Sequence, residues 1–312
     1  MIKTRKYPLI ILITVLLLII SCGHKTFSIR ENEKRDDYFI IWSFSDIQPR
    51  NNAEKIHYKI AVDDTSSIFS SIDIALCAGD IVQKSEFEEI FSWYLDTRSK
   101  APVKEWFDIA GNHEWRCIDL YKKMINENLN YSIKRGNILI LMMSNEQRGR
   151  KTILSDQTFN WWAKKIQDNQ DKIIITVTHG ALPGSGLTAG KIDRLSIENP
   201  ERFQKVLKKY NMDIWISGHS HIPAWIPGTV VINSRLGGTT FIDNGAIRKD
   251  FLTSIQSRFL IFREGNKSVQ LKTRNHSSEK FKSRDYTIPV KHSFQKNKIK
   301  KSHDEKTTKF SG

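Results

Sequence analysis

The sequence predicts an α/β fold, with strands at its centre and helices over the sheet faces. Three observations carry that expectation. Short apolar runs recur along the body at Tyr38–Phe44, Ile72–Ala78, Trp106–Ala110, Ile138–Met143, Ile173–Val177, Ile214–Ser217 and Thr229–Ile232. Each is rich in Ile, Val, Phe or Trp and short enough for a strand buried on both faces. Between them lie amphipathic stretches: Ser85–Arg98 sets Phe87, Ile90, Phe91 and Tyr94 on one helical face, and Ser155–Asn169 and Asn199–Tyr210 behave alike. Strand–helix alternation of this kind implies helices packed on a sheet. After Asn233 the rhythm changes, and Arg258–Phe262 and Ser268–Thr273 on either side of Glu264-Gly265-Asn266 predict an antiparallel hairpin.

Before the first run the chain reads as a targeting segment. Lys3, Arg5 and Lys6 precede an apolar stretch from Pro8 to Ile20, the length of a signal h-region and short of the ~20 residues of a spanning helix. Ile19-Ile20-Ser21-Cys22 resembles the lipobox of bacterial lipoproteins, which implies a signal peptide over 1–21, lipidation of Cys22 and an exported chain anchored to a membrane on its periplasmic or cell-surface side. Residues 22–37 are polar, as a tether would be. The folded domain is expected over 38–274, and 275–312 is expected to be a disordered basic tail.

The composition, 39% apolar and 27% charged, is that of a soluble globular chain. The net charge of +15 points to anionic partners. However, residues 265–312 carry 13 Lys and Arg against 4 Asp and Glu, so +9 of the surplus lies there and little remains on the body. Nucleic acid is therefore not the expected partner. Cys77 and Cys117 lack a CxxC neighbour, so a thiolate zinc site is not expected and both read as free thiols.

The chemistry-bearing residues gather where the apolar runs end, which is where open α/β sheets place their ligands. Five blocks stand there: Ser45-Asp46-Ile47-Gln48, Ala78-Gly79-Asp80, Gly111-Asn112-His113-Glu114, Thr178-His179-Gly180 and Gly218-His219-Ser220-His221. Oxygen and imidazole donors suit Mn, Fe, Zn or Mg. In extended chain, Asp46 with Gln48, and His219 with His221, each project to one side. Gly79, Gly111 and Gly218 precede donors, where a missing Cβ lets backbones approach. A lone Asp at a strand end is ordinarily a cap, and a lone His a core residue. It is the ordered set that points to metal.

In order and spacing the five blocks resemble the calcineurin-like metallophosphoesterase family, whose pattern runs D-x-H, G-D, G-N-H-[DE], H, G-H-x-H. The segments Tyr131–Met143 and Tyr210–Ile214 are similar to family segments too. The resemblance implies two mixed β-sheets packed face to face and flanked by helices. It also implies hydrolysis of phosphomonoesters or phosphodiesters by two divalent ions, Mn or Fe first and Zn or Mg next, sharing a hydroxide. It would place one ion on Asp46, Gln48, Asp80 and His221, and the other on Asp80, Asn112, His179 and His219. His113 would protonate the leaving oxygen, and Asn112 and Arg116 would touch the substrate phosphate. Two departures stand out. Gln48 replaces the usual His, and Gln83 occupies the place of an Asp that pairs with the catalytic His in the family's phosphoprotein phosphatases, leaving His113 to be oriented by something else. Two other functions follow from the same residues: a metal-binding lipoprotein without turnover, and a metal-dependent nuclease. Trp161, Trp162 and Trp215 are expected in the core, Trp115 and Trp225 at the substrate mouth.

Overall fold

β1 (Tyr38–Phe44) is apolar on both faces, and that sets the architecture. Tyr38, Ile40, Trp42 and Phe44 pack toward helices, whereas Phe39 and Ile41 pack into the space between two sheets. The computed structural model describes residues 35–83, 85–250, 253–282 and 284–296. The signal segment and Cys22 lie outside them.

In chain order the elements are β1, α1 (Ile56–Ile68), β2 (Ile72–Cys77), α2 (Phe87–Arg98), β3 (Val103–Asp108), α3 (Ile118–Met124), β4 (Asn130–Arg135), β5 (Ile138–Met143), α4 (Asp156–Asp168), β6 (Ile173–Thr178), α5 (Pro200–Lys209), β7 (Ile214–Ser217), β8 (Val230–Asn233), β9 (Thr239–Asp243), β10 (Gln256–Arg263), β11 (Ser268–Asn275), β12 (Lys280–Phe281) and β13 (Tyr286–Pro289). The first sheet runs β12-β11-β10-β1-β2-β3, with β13 also on β11, and the second runs β4-β5-β6-β7-β9-β8. Both are mixed. β1, β2 and β3 are parallel while β10 and β11 are antiparallel. β5, β6, β7 and β9 are parallel between antiparallel edges β4 and β8.

Three apolar clusters define the layers: α1–α3 on the outer face of the first sheet, an Ile-, Val- and Phe-rich seam between the sheets, and α4 and α5 on the second. Trp162 and Trp215 are fully buried in the last of these, each with its indole N–H donated to a threonine hydroxyl. Cys77 and Cys117 are free thiols.

The expected domain end at residue 274 needs correction. It falls inside β11, and the chain continues as β12 and β13. Ile288, Val290 and Phe294 are buried, packed into the seam between the sheets. These apolar residues are spread through a Lys- and Ser-rich stretch, so composition concealed them. Residues 293–295 also bond to Asn137 beside the β4–β5 turn, tying the two sheets together.

Candidate metal centre

Because β1, β2, β3, β6 and β7 run parallel within their sheets, the residues after each strand emerge at one edge of the sandwich. Asp46, Asp80, His179 and His219 each offer a donor atom there, all within 4.8 Å of one another. Asp46, Asp80, His219 and His221 adopt positive φ (57°, 59°, 65° and 52°), a conformation that costs a non-glycine residue about 1–3 kcal/mol. The backbones here are also closely crowded. A Cβ on Gly111 would stand 2.2 Å from Asp80 Oδ1, and one on Gly218 2.5 Å from Ser45 Oγ.

Each histidine has one ring nitrogen committed elsewhere. His179 Nδ1 lies 2.7 Å from the Ala78 carbonyl, His219 Nε2 2.8 Å from that of Arg150, and His221 Nδ1 3.3 Å from Asp250 Oδ2. A carbonyl only accepts, so those nitrogens of His179 and His219 carry the proton. Their other nitrogens face the cluster, the arrangement by which acceptors orient metal-binding imidazoles. His179 Nε2 is 3.2 Å from Asp80 Oδ2 and 3.1 Å from Asn112 Oδ1. His221 Nε2 is 3.2 Å from Asp46 Oδ1 and 2.8 Å from Gln48 Nε2.

Charge follows this geometry. Burial opposes ionisation of Asp46 and Asp80, but facing His221 and His179 respectively outweigh it and hold both carboxyls below their usual range. Burial likewise disfavours charge on the histidines, yet Asp80 lifts His179 to about 9, and Asp46 with Asp250 lifts His221 to about 10. His219 moves down, through burial and the neighbouring His179. The carboxylates therefore draw positive charge to this spot, as protons on two imidazoles or as cations in their place. Asp46 Oδ1 and Gln48 Oε1 are buried and accept no hydrogen bond, which costs about 1–3 kcal/mol per atom unless something else binds them. Two such oxygens within an Asp/His donor set fit a divalent cation.

His113 is held by an element that the sequence does not reveal. Its Nδ1 donates to the backbone carbonyl of Gln83 at 3.0 Å, and Arg116 Nη1 donates to the same oxygen at 2.6 Å. A main-chain carbonyl thus orients the ring, leaving Nε2 3.8 Å from Asp80 Oδ2. Glu114 organises the backbone beneath. Fully buried, its carboxylate accepts the N–H groups of Asp80, Ile81, Val82 and Gly111 at 2.7–3.1 Å, while burial raises its pKa. Ser45 Oγ and the His219 N–H hold Asp46 Oδ2.

All nine residues expected at the site meet at this edge. Sequence reasoning missed the supporting Ser45, Glu114 and Asp250, of which Ser45 and Glu114 had a signal, as end residues of the Ser45–Gln48 and Gly111–Glu114 blocks. It also missed a cavity of about 400 Å³ lined by Asn112, His113, Arg116, Arg148, Gly149, Arg150, Arg194, Leu195 and His219. Neither Trp115 nor Trp225 lines it. Trp115 donates its indole N–H to the Asn145 carbonyl, and Trp225 is 59% exposed.

Comparison with known proteins agrees with this arrangement. Residues 39–223 match the model of the calcineurin-like phosphoesterase family. None of the curated proteins matches the chain. Among solved structures, the purple acid phosphatase PPD1 from yellow lupin (Lupinus luteus) seeds superposes with a TM-score of 0.59 at 17% identity, over 82% of this chain and 54% of that one. This chain thus spans about half of the lupin enzyme. GAP50, the anchor in the inner membrane complex of Plasmodium, superposes with a TM-score of 0.57 at 12% identity, over 82% and 90%. At such identities the likeness is one of fold.

Proposed function

This chain belongs to the calcineurin-like phosphoesterase family, and from that premise we propose that it hydrolyses phosphomonoesters or phosphodiesters with two divalent ions, Mn or Fe foremost. The observation that carries the proposal is the convergence of Asp46, Asp80, His179 and His219 within 4.8 Å. Asp46, Gln48, Asp80 and His221 would hold one ion, and Asp80, Asn112, His179 and His219 the other. When bound, the ions supply charge that neutralises phosphoryl oxygens and lowers the pKa of water.

The chain's own groups do the rest. Water oxygen bonds to phosphorus, the bond to the leaving oxygen breaks with its electron pair on that oxygen, and His113 supplies the proton it needs. The Gln83 carbonyl fixes that ring. Arg116, with one N–H donated to the same carbonyl, keeps others free for a phosphoryl oxygen. The match to an anchor protein means that the fold does not by itself imply turnover. The donor set and His113 are what favour it.

Hydrolysis of bis-p-nitrophenyl phosphate, with metal analysis of the purified chain, tests this. His113→Ala should lose about 10²–10⁴-fold in rate and keep its metal content. A metal-replete preparation without divalent ions, or a His113→Ala variant as fast as wild type, overturns it.

An exported chain anchored by lipid on Cys22 is part of the same proposal, supported by the lipobox-like Ile19–Cys22 and the polar stretch that follows. Wild type should incorporate labelled palmitate in cells, and Cys22→Ala should not. Equal labelling refutes the anchor.

A further inference from the structure

The cavity beside His113 is lined by four arginines, 116, 148, 150 and 194, and by no carboxylate. Resting on the hydrolysis proposed above, we infer that the preferred substrate carries a second anionic phosphoryl group on its leaving-group side, as an organic diphosphate does.

Among the described residues, no ion pair joins these guanidiniums to an acid. The acids nearest in sequence are engaged elsewhere. Asp193 pairs with Lys151 at 2.6 Å. Glu146 accepts from Asn130, Ser155 and Thr158 at the start of α4. Like charges gathered around one cavity repel unless an anion joins them, and guanidinium is the side chain best shaped to grip phosphate with two parallel bonds.

The two loops that bear three of these arginines are held in place. Glu146 N–H donates to the Ile153 carbonyl at 2.9 Å, and Ile153 N–H to Asn145 Oδ1 at 2.8 Å, closing the loop that bears Arg148 and Arg150. Thr152 N–H donates to the Ser196 carbonyl at 3.0 Å, joining that loop to the one bearing Arg194. His219 Nε2 reaches the carbonyls of both Arg150 and Arg194, at 2.8 and 3.2 Å, so the metal cluster and the arginine loops share one hydrogen-bonding ring.

His113 fixes which side of the substrate the cavity serves. Its proton goes to the leaving oxygen, so the space it shares with the arginines receives the departing group. About 400 Å³ lies at the small end of the ~300–1,000 Å³ typical of ligand sites, which favours a compact diphosphate over a polymer.

Calorimetry on the metal-loaded full chain tests the inference with methylenediphosphonate and methylphosphonate as probes, comparing wild type with R148A/R150A/R194A. The three residues are exposed, so the variant should fold. The wild-type preference for the diphosphonate should fall by about tenfold or more in the variant, the value of one strong charge-assisted contact. An unchanged preference overturns the inference. In parallel, wild type should cleave ADP more efficiently than p-nitrophenyl phosphate. Preference for a thymidine oligonucleotide over ADP would mean that the arginines follow a nucleic-acid backbone, and the inference falls. If neither small ester nor bis-p-nitrophenyl phosphate is cleaved, the hydrolysis proposal fails, while the binding preference still decides the role of the arginines.

Discussion

Two clusters of histidine, aspartate and hydroxyl groups lie in this molecule, and they have opposite characters. One is the strand-end group around Asp80. The other is buried beneath α1, where Trp42 Nε1 donates to Ser257 Oγ at 2.8 Å, Ser257 meets His276 Nε2 at 2.7 Å, and His276 Nδ1 meets Asp64 Oδ2 at 2.7 Å. Arg274 closes the chain with two bonds to the same carboxylate. A Ser-His-Asp sequence of hydrogen bonds suggests a nucleophile, yet Ser257 and His276 are 0% and 1% exposed, and no substrate can reach them. None of these five residues has a buried side-chain atom without a partner, and none has positive φ. The strand-end cluster has both unpartnered oxygens and four strained donors. Residue type does not distinguish a site from a strut. Unmet bonding capacity and backbone strain do.

Paired substitutions give the sharpest test of that contrast. Asp80→Ala should abolish hydrolysis and metal retention while leaving the metal-free fold near its wild-type melting temperature. Asp64→Ala should do the reverse, costing about 3–5 kcal/mol by stranding the Arg274 charge, measured by urea unfolding, with metal binding intact in the folded fraction. Comparable stability losses in both variants would erase the distinction.

A smaller effect is expected at Asp250, which orients His221 from outside the donor set. Asp250→Asn should weaken metal affinity or rate by about 10–100-fold, read by metal titration. Wild-type affinity would show that His221 needs no such support.

The mildest effect concerns acid. Burial lowers the pKa of His276, while around Asp64 burial is outweighed by Arg274 and His276, which lower its carboxyl too. In both cases the unfolded chain binds protons more readily, so stability falls as pH falls. The loss attributable to His276 begins below its unfolded value of ~6.5, and that of Asp64 below ~3.9. His276→Gln should shrink the first step in a plot of melting temperature against pH, leaving the share of His219, whose pKa is also lowered. If the step is undiminished, it belongs to another group.

Much of this was legible in the sequence. β1, β5 and β7 occupy their expected spans, and α4 and α5 lie within one residue of theirs at each end, because strong periodicity and clear caps coincide, as at Ser155 before α4. The five donor blocks were visible because each follows an apolar run. α1 was overlooked because polar Asp63, Asp64, Thr65, Ser66 and Ser67 dilute the pattern of Tyr58, Ala61 and Val62. The arginine cavity could not be read at all. Arg148, Arg150 and Arg194 sit on loops without periodicity, and only the folded course of two distant segments brings them to His113.

β1 also fixes a direction. The chain enters the first sheet at Tyr38, where Lys296 Nζ reaches the carbonyls of Asp36 and Tyr38, and delivers Asp46 just beyond the strand's other end. Seven residues of strand span roughly 23 Å, so the start of the described chain and the Asp46 donor lie at opposite ends of β1. If the proposed lipid anchor on Cys22 holds, the chain would enter the domain at the end of β1 away from the donor cluster, which leaves the cluster's edge open to soluble esters.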